Sequence, residues 1–120
     1  MTALTALETL YEAGADGELV LAGRLGALFG RFPLRRAADR PYLIANFVTT
    51  LDGVVSLNER GHEAAGDISG FEPHDRMVMG LLRAIADAIV VGAGTLRAEP
   101  DHVWSAGYIF PELAGEYQVV

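Results

Sequence analysis

The chain contains no cysteine, and this absence excludes several kinds of site at once. A protein without cysteine cannot form a disulfide, hold zinc through thiolates or use a thiol nucleophile. The sequence also lacks an apolar run near the roughly 20 residues that a membrane-spanning helix requires, and its first residues lack the positive charge of a secretory signal. These absences fit a reducing compartment, and we expect a cytoplasmic protein.

Basic residues are scarce as well. Nine Lys and Arg residues stand against 16 Asp and Glu residues, which gives a net charge of −7. Proteins that bind nucleic acid do so through clusters of Lys and Arg, so the balance argues against a nucleic-acid partner. A local basic pocket for a phosphate is compatible with an acidic surface, so a nucleotide cofactor is not excluded.

Several common site patterns are missing. His62, His74 and His102 are scattered without the spacing of metal ligands, and we predict no metal site. Arg97 stands where a dinucleotide fingerprint has its third glycine, and no Gly-Lys-Ser/Thr follows to make a P-loop. The spacings show no Ser-His-Asp triad or pair of carboxylates, so they identify no known catalytic constellation.

The first 40 residues have the pattern of a helical arm followed by a linker. Residues 3–13 and 18–29 carry apolar side chains at helical spacing, residues 14–17 resemble a turn, and Gly30 is a plausible stop for the second helix. The basic residues of the linker lie between Pro33 and Pro41, and the linker is either a solvated connector or a rim that attracts phosphate. We predict a division into residues 1–40 and a main domain at 41–120.

Two apolar runs and one amphipathic helix predict an α/β core in the main domain. Residues 42–50 and 88–92 are almost continuously apolar, which is typical of strands covered on both faces. Between them, residues 73–86 predict a helix that begins at Pro73. The order strand, helix, strand predicts adjacent parallel strands with a right-handed crossover. We expect residues 101–115 to be irregular and residues 117–120 to begin another strand. The polar face of the predicted helix carries Arg76, Gly80 and Arg83.

Two loops at the ends of these runs have the composition of ligand-binding loops. After the second run come Gly92, Gly94 and Thr95, whose backbone amides and hydroxyl could accept a phosphate. After the first run, Thr50 and Asp52 precede Gly53, and Asp-Gly is a strong signal for a tight turn. Each loop also has a simpler interpretation, the first as an ordinary strand-to-helix turn and the second as a turn that Asp52 stabilises.

Charged residues supply further candidates. Arg83 on the helix is either a solvated side chain or a ligand contact, and Glu99 before Pro100 is either an exposed loop acid or part of the same cleft. A possible helical turn ends at Pro100. The long polar loop at 58–70 has the length of a functional loop.

From Arg40 to Pro100 the sequence resembles the reductase domain of riboflavin-biosynthesis proteins, the C-terminal half of bifunctional deaminase-reductases. The similar motifs are Thr50-Leu51-Asp52-Gly53, Leu82-Arg83-Ala84 with Asp87-Ala88, and Val91-Gly92-Ala93-Gly94-Thr95-Leu96, in the family's order. The resemblance implies a dihydrofolate-reductase-like mixed sheet, here its N-terminal portion with a helical arm. It also makes residues 41–120 a partial reductase domain.

The resemblance further implies an activity, a cofactor and roles for particular residues. Members of that family use NADPH to reduce the ribosyl group of a phosphoribosylamino-pyrimidine to ribityl, and a pterin-like substrate is a related choice. Arg83 would contact the phosphate or pyrimidine side of the substrate, and Ser69 lies in the loop that covers the substrate. Asp52 and Glu99 are the candidates for the proton donor. The implied cofactor contacts are Val48, Thr50, Gly92, Gly94, Thr95 and Glu99.

The sequence departs from the family pattern after Thr95. Family members continue with Asp-Pro-x-Leu and an arginine, where this chain has Glu99-Pro100-Asp101-His102-Val103-Trp104. They also run further, to a glycine-rich segment that holds the cofactor phosphates. From this we expect a truncated domain that forms a homodimer or joins a complementing chain, binds NADPH weakly and has no turnover alone. Two alternatives to an enzyme are a non-catalytic or split fragment and a nucleotide-binding module without turnover.

Overall fold

Helices make up the regular structure of this chain in the residues that the computed structural model describes, which are 4–11, 17–34, 39–62 and 65–120. The chain divides into two compact units, Met1–Ala45 and Asn46–Val120. Within the described ranges no helix has both the length and the apolar character that a membrane span needs.

Among its described residues, the first unit contains one helix, α1, at Gly23–Phe29. Gly30 ends α1 in a left-handed conformation with φ 62°, and its N–H donates to the carbonyl of Gly26, so the predicted stop is confirmed. The prediction of a helix from residue 18 is wrong at its start, because Leu19 instead donates its N–H to the carbonyl of Phe32 at 2.9 Å. The buried face of α1 consists of Leu25, Leu28 and Phe29.

The predicted first helix, over residues 3–13, is not formed in its described part. Residues 4–11 have no helix, and Leu10 and Tyr11 are 88% and 84% exposed. A short helix is stable only when its apolar face is covered, and these side chains have no such cover. Gly14, Arg35 and Arg36, which the sequence places in a turn and in the linker, lie outside the described residues.

The second unit contains the remaining helices. They are α2 at Ala65–Ser69, α3 at Pro73–Ile85, α4 at Ala93–Ala98, α5 at Ala106–Ile109, the 3₁₀ helix η1 at Pro111–Leu113, and α6 at Ala114–Tyr117. Helix α3 packs against α5 and α6, and η1 lies against both of these shorter helices. The core of the unit is formed by Met77, Leu81, Ile109, Phe110, Leu113 and Tyr117.

The prediction of a helix at 73–86 is confirmed by α3, which ends one residue earlier. Pro73 occupies its first turn, and the Glu72 side chain caps the helix by accepting the His74 N–H at 3.1 Å. Asp75 lies in the first turn and Arg83 in the last, so both charges are favourable to the helix dipole. The start and the end of α3 are thus determined by residues within it or next to it.

The predicted α/β fold, a dihydrofolate-reductase-like mixed sheet, is wrong for the described residues. Residues 42–50 and 88–92 form no strand, so the predicted parallel pair with its right-handed crossover is absent as well. Phe47 is 78% exposed and Val90 is 95% exposed. An apolar run becomes a strand only when a neighbour pairs with its backbone and other elements cover its faces. No described segment pairs with the backbone of these runs or covers their faces. The composition of an apolar run does not show whether such a partner exists.

The C-terminal segment also differs from its prediction. Residues 101–115, expected to be irregular, contain α5 and η1, and residues 117–120, expected to begin a strand, form none. Ile109, Leu113 and Tyr117 lie in α5, η1 and α6 in turn, and all three are buried where these short helices pack against one another and against α3. The apolar residues near the end of the chain therefore complete a helical core.

Gly80 is buried, although its position in the helix predicts the polar face. The ring of Tyr117 lies against it: a Cβ at Gly80 would be 2.6 Å from Cε2 of that ring. The Tyr117 hydroxyl donates a 2.8 Å hydrogen bond to the carbonyl of Met77, and only 5% of this residue is exposed. The absence of a side chain at Gly80 is what lets α6 approach α3 at this point.

Gly80→Ala should destabilise the protein by about 1–3 kcal/mol, the usual cost of overpacking a core. The added methyl would overlap a buried ring whose hydroxyl is bonded to Met77, so the ring could move only by breaking that bond. Urea denaturation measures the change. Gly115→Ala is the matched control: its Cβ would meet nothing within 4 Å, and we expect no loss and a gain of up to about 1 kcal/mol. Equal effects of the two substitutions would contradict this account of Gly80.

Stability should fall at alkaline pH because of Tyr117. Burial, with a smaller effect of the Glu116 charge, raises the pKa of Tyr117 to about 12, whereas an unfolded tyrosine ionises near pH 10. The folded state therefore holds this proton more tightly, and the stabilisation is complete below pH 10 and is lost as the pH rises toward 12. The decline should approach about 2–3 kcal/mol, and pH-dependent urea denaturation measures it.

Tyr117→Phe should remove this alkaline decline and cost about 1 kcal/mol at neutral pH, because the bond to Met77 is lost. Tyr42→Phe changes a half-exposed tyrosine in the other unit and should leave the decline intact. If the stability of Tyr117→Phe still fell at alkaline pH, the decline would come from another titrating group.

Candidate functional site

Three charged or polar side chains meet at the end of α3. Nη1 of Arg83 lies 3.1 Å from Nε2 of His102, and Nδ1 of the same imidazole lies 3.2 Å from Oε2 of Glu99. Arg83 and Glu99 were candidates from the sequence, whereas His102 was not. We refer to these three residues with Trp104 and Tyr108 as the Arg83 cluster.

A turn after α4 brings His102 into this position. Glu99 caps the C-terminus of α4 by donating its N–H to the carbonyl of Thr95 at 2.9 Å. The His102 N–H then donates to the Glu99 carbonyl at 3.2 Å, which closes a four-residue turn with Pro100 at its second position. Proline favours that position because its φ is already fixed near the required value. Local geometry thus places the Glu99 and His102 side chains side by side.

Aromatic rings enclose the imidazole. The ring centroid of His102 lies 4.4 Å from that of Trp104 and 5.0 Å from that of Tyr108. Cζ of Arg83 lies 5.0 Å from the centroid of the Trp104 ring, within the range of a cation–π interaction. Ser105 fixes the start of α5 by accepting the N–H of Tyr108 at 3.3 Å, so Trp104 and Tyr108 come from either side of one helix start.

The hydrogen bond with Arg83 determines the tautomer of His102. A guanidinium can only donate, so Nε2 must accept from Arg83, and the proton of the neutral imidazole is then on Nδ1, which lies 3.2 Å from Oε2 of Glu99. Burial lowers the pKa of His102, the positive charge of Arg83 lowers it further, and Glu99 opposes this in part. The imidazole is therefore neutral at pH 7, with its proton on Nδ1.

Arg83 retains donors for a ligand. A guanidinium has five N–H groups, and in the described part of the chain its hydrogen-bond partner is His102. Burial lowers the pKa of Arg83, with Glu99 acting in the opposite direction, but an arginine remains charged throughout the physiological range. A half-buried, oriented guanidinium of this kind can bind a phosphate or a carbonyl oxygen.

The second candidate region is a tight turn, which confirms the prediction for Asp52 and Gly53. The Gly53 N–H donates to the carbonyl of Thr50 at 3.0 Å, and Gly53 has φ 89°. The Thr50 hydroxyl accepts the Val54 N–H at 2.9 Å and donates to the Asp52 carboxylate. This hydroxyl, with a smaller effect of the Asp52 backbone, lowers the pKa of Asp52. The geometry agrees with the simpler interpretation of Asp52 as a turn-stabilising residue. Val48, at the entry to this turn, is partly buried.

The third region is the start of α4. Gly92 is its N-cap, and Gly94 and Thr95 lie in its first turn, so the helical turn expected before Pro100 is confirmed and begins earlier, at Ala93. All three residues are exposed. A Cβ at Gly92 or Gly94 would meet nothing within 4 Å, so the backbone here is open to a ligand.

The structure does not bring every candidate to the Arg83 cluster. Ser69 is the last residue of α2, and its hydroxyl donates to the carbonyl of Gly66 at 3.5 Å. No contact among the described residues joins Ser69 or Asp52 to Arg83. Within the same described ranges, no group of three or more His, Cys, Asp or Glu side chains could hold a metal ion.

Sequence reasoning missed His102, Trp104 and Tyr108. The available signals were the Glu-Pro-Asp turn before His102 and the serine three residues before Tyr108, which is a helix N-cap pattern. These signals predict a turn and a helix start. They do not predict that both lie beside the last turn of α3.

Comparison with known families gives one match. The family model described as the RibD C-terminal domain matches residues 41–111, more than half of the 120-residue chain and a span that includes the whole Arg83 cluster. This confirms the resemblance seen in the sequence between residues 40 and 100. Comparisons with curated proteins and with solved structures gave no significant match.

Proposed function

The chain belongs to the family of RibD C-terminal domains, and from this membership we propose that it is an NADPH-dependent oxidoreductase of riboflavin biosynthesis. Its proposed substrate is a phosphoribosylamino-pyrimidine, whose ribosyl group is reduced to ribityl. The observation that carries the proposal is the family match over residues 41–111, because that span contains the oriented guanidinium of Arg83.

Arg83 is the proposed contact for the anionic or carbonyl side of the substrate. Its guanidinium is half-buried, bonded to His102 and stacked near Trp104, so little further ordering is needed when a ligand binds. A guanidinium can meet a phosphate through two parallel hydrogen bonds, which makes it more selective than an ammonium. Ser69 remains a proposed substrate contact on the basis of the family resemblance alone.

The proposed cofactor contacts are Val48, Thr50, Gly92, Gly94, Thr95 and Glu99. In support, the start of α4 is exposed and has open space at Gly92 and Gly94, which suits a phosphate-bearing ligand that must approach the backbone closely. NADPH would supply the hydride of the reaction. The work of these residues would be to bind and orient the cofactor beside the substrate.

Reduction of a ribosyl group to ribityl also consumes a proton, and Asp52 and Glu99 are the candidates to handle it. The lowered pKa of Asp52 favours its carboxylate form, which makes this residue a poor acid near neutral pH. Oε2 of Glu99 lies 3.2 Å from Nδ1 of His102, whose Nε2 accepts from Arg83. We favour Glu99 for its position, because it lies beside His102 and Arg83, whereas the Asp52 carboxylate is bonded within its own turn.

We also propose that the chain associates, either as a homodimer or with a complementing chain. Phe47 is 78% exposed, Leu51 is fully exposed and Val90 is 95% exposed, and association would remove such apolar surface from water. Sedimentation velocity at micromolar concentration should show a dimer or larger species. The double variant Phe47→Ser, Val90→Ser should shift the population toward monomer. A wild-type chain that remained a compact monomer at high concentration would refute the homodimer and leave only association with a complementing chain.

NADPH should bind weakly, with a dissociation constant near a millimolar. The start of α4 offers two or three charge-assisted hydrogen bonds of about 1.5–3 kcal/mol each, and several kcal/mol are lost in association. Thr95→Val should weaken this binding, because it removes a hydroxyl at nearly constant shape. Ser56→Ala, a hydroxyl deletion at an exposed loop residue, is the control and should leave the affinity unchanged. Calorimetry with NADPH measures both, and binding unaffected by Thr95→Val would show that the site lies elsewhere.

Turnover separates the proposed enzyme from its alternatives. The assay follows NADPH oxidation and formation of the ribityl product from a phosphoribosylamino-pyrimidine. Product formation supports the reductase. Because no turnover is expected from this chain alone, the assay is repeated with a complementing chain, and NADPH binding without product in that mixture would favour a nucleotide-binding module.

A further inference from the structure

The Arg83 cluster contains a bond that one proton can break. Nε2 of His102 accepts from Nη1 of Arg83 only while that nitrogen is unprotonated. A second proton on the imidazole would place a donor and a positive charge against the guanidinium at 3.1 Å. The contact with Glu99 would not oppose protonation, because Nδ1 carries a proton in both states and faces a carboxylate oxygen at 3.2 Å.

We propose that neutral His102 is the positioning residue for Arg83: it holds the guanidinium beside Trp104, and protonation of His102 releases it. As far as it concerns substrate, this inference rests on the proposed function, in which Arg83 contacts an anionic ligand. The hold of His102 on Arg83 is a property of the chain itself and is testable without substrate or cofactor.

Side chains from each neighbouring element surround His102, and their charges shift its pKa. Helix α3 contributes Arg83 and Arg76, whose charges both disfavour a second proton, and Glu99 at the end of α4 favours one. Helix α5 contributes Tyr108, whose ring meets the imidazole edge-on. Together with partial burial, the two arginines outweigh the single carboxylate, and the pKa of His102 is lowered.

Protonation has two opposite effects on anion binding. It adds a positive charge near the ligand, which alone would strengthen binding as the pH falls. It also removes the acceptor that orients Arg83, which weakens a contact that depends on the direction of the guanidinium fork. The added charge lies beside Glu99, which partly offsets it, whereas the lost bond is that of Arg83 itself. We therefore expect binding of an anion to weaken as the pH falls.

The first experiment follows the cluster by NMR between pH 8 and pH 5. Trp104 is the only tryptophan, so its indole N–H is identified directly. That resonance, the Arg83 Nε–H and the His102 imidazole should move in one shared step with a midpoint below the ordinary histidine pKa of about 6.5. Above the step, His102 should carry its proton on Nδ1. A wild-type protein in which His102 titrates without moving Arg83 would overturn the inference.

Two variants isolate the role of His102. In His102→Gln, the side-chain oxygen can accept from Arg83 but does not titrate, so the step should vanish while Arg83 keeps its high-pH resonance. His62→Gln is the matched control: Nδ1 of His62 also lies 3.2 Å from a carboxylate oxygen, that of Asp67, and its loss should leave the step unchanged. A step that persists in His102→Gln overturns the inference, and the tautomer in the wild-type chain is informative even if a variant folds poorly.

The second experiment measures anion binding with inorganic sulfate, which, unlike phosphate with its pKa near 6, stays fully charged over this range. Sulfate affinity of the wild-type chain should fall roughly threefold or more through the His102 step, and in His102→Gln it should be constant. An affinity that rises as the pH falls would show that charge outweighs position and would overturn the inference. If sulfate failed to bind at pH 8 while the NMR step remained, the substrate role of Arg83 would be refuted and the hold of His102 on Arg83 would stand.

Discussion

The second unit of the structure depends on the contact between Gly80 and Tyr117. The ring lies where a side chain at position 80 would be, and its hydroxyl satisfies a carbonyl of the same helix, that of Met77. This contact joins α6 to α3, while α5 packs on α3 directly and η1 lies against both α5 and α6. These helices are too short to be stable alone, so their structure comes from the surface of α3.

The Arg83 cluster is a consequence of that packing. Once α5 lies on α3, its N-cap Ser105 places Trp104 and Tyr108 at the last turn of α3, next to Arg83. The turn after Glu99 then supplies the imidazole between the aromatic rings. A half-buried cation is costly unless its environment compensates for lost water. Here His102 accepts a hydrogen bond from Arg83, the Trp104 ring lies against the guanidinium, and the Glu99 charge favours it, so all three offset the loss of water.

What the sequence could predict is local. Pro73, Asp75 and the spacing of apolar residues specify α3, Gly30 specifies the end of α1, and the Asp52-Gly53 pair specifies a turn. In each case the residues that determine the structure are within a few positions of it. The wrong predictions all concern partners distant in sequence. The composition of the apolar run at 42–50 does not show whether another segment will pair with it.

The same distinction applies to the site. Arg83 and Glu99 could be chosen because the motifs around them resemble those of a family. His102 could not, since its importance comes from a contact with a residue 19 positions away. Likewise, helical spacing places Gly80 on the polar face of α3, but the ring of Tyr117 packs against it and buries it. Helical periodicity describes one element, whereas burial depends on what packs against it.

The boundary of the family match gives this dependence a consequence for function. The match ends at residue 111, so Arg83, Glu99, His102 and Trp104 lie inside it, but Leu113 and Tyr117 lie outside. The matched span therefore contains the Arg83 cluster and part of the core that supports it, including Ile109 and Phe110, whereas Leu113 and Tyr117 complete that core from beyond the match. Trp104 lies near the start of α5 and Tyr108 within it, so their positions beside Arg83 and His102 depend on how α5 packs against α3. The support of the Arg83 cluster thus extends past the end of the family match, because η1 and α6 pack against α5, which itself packs on α3.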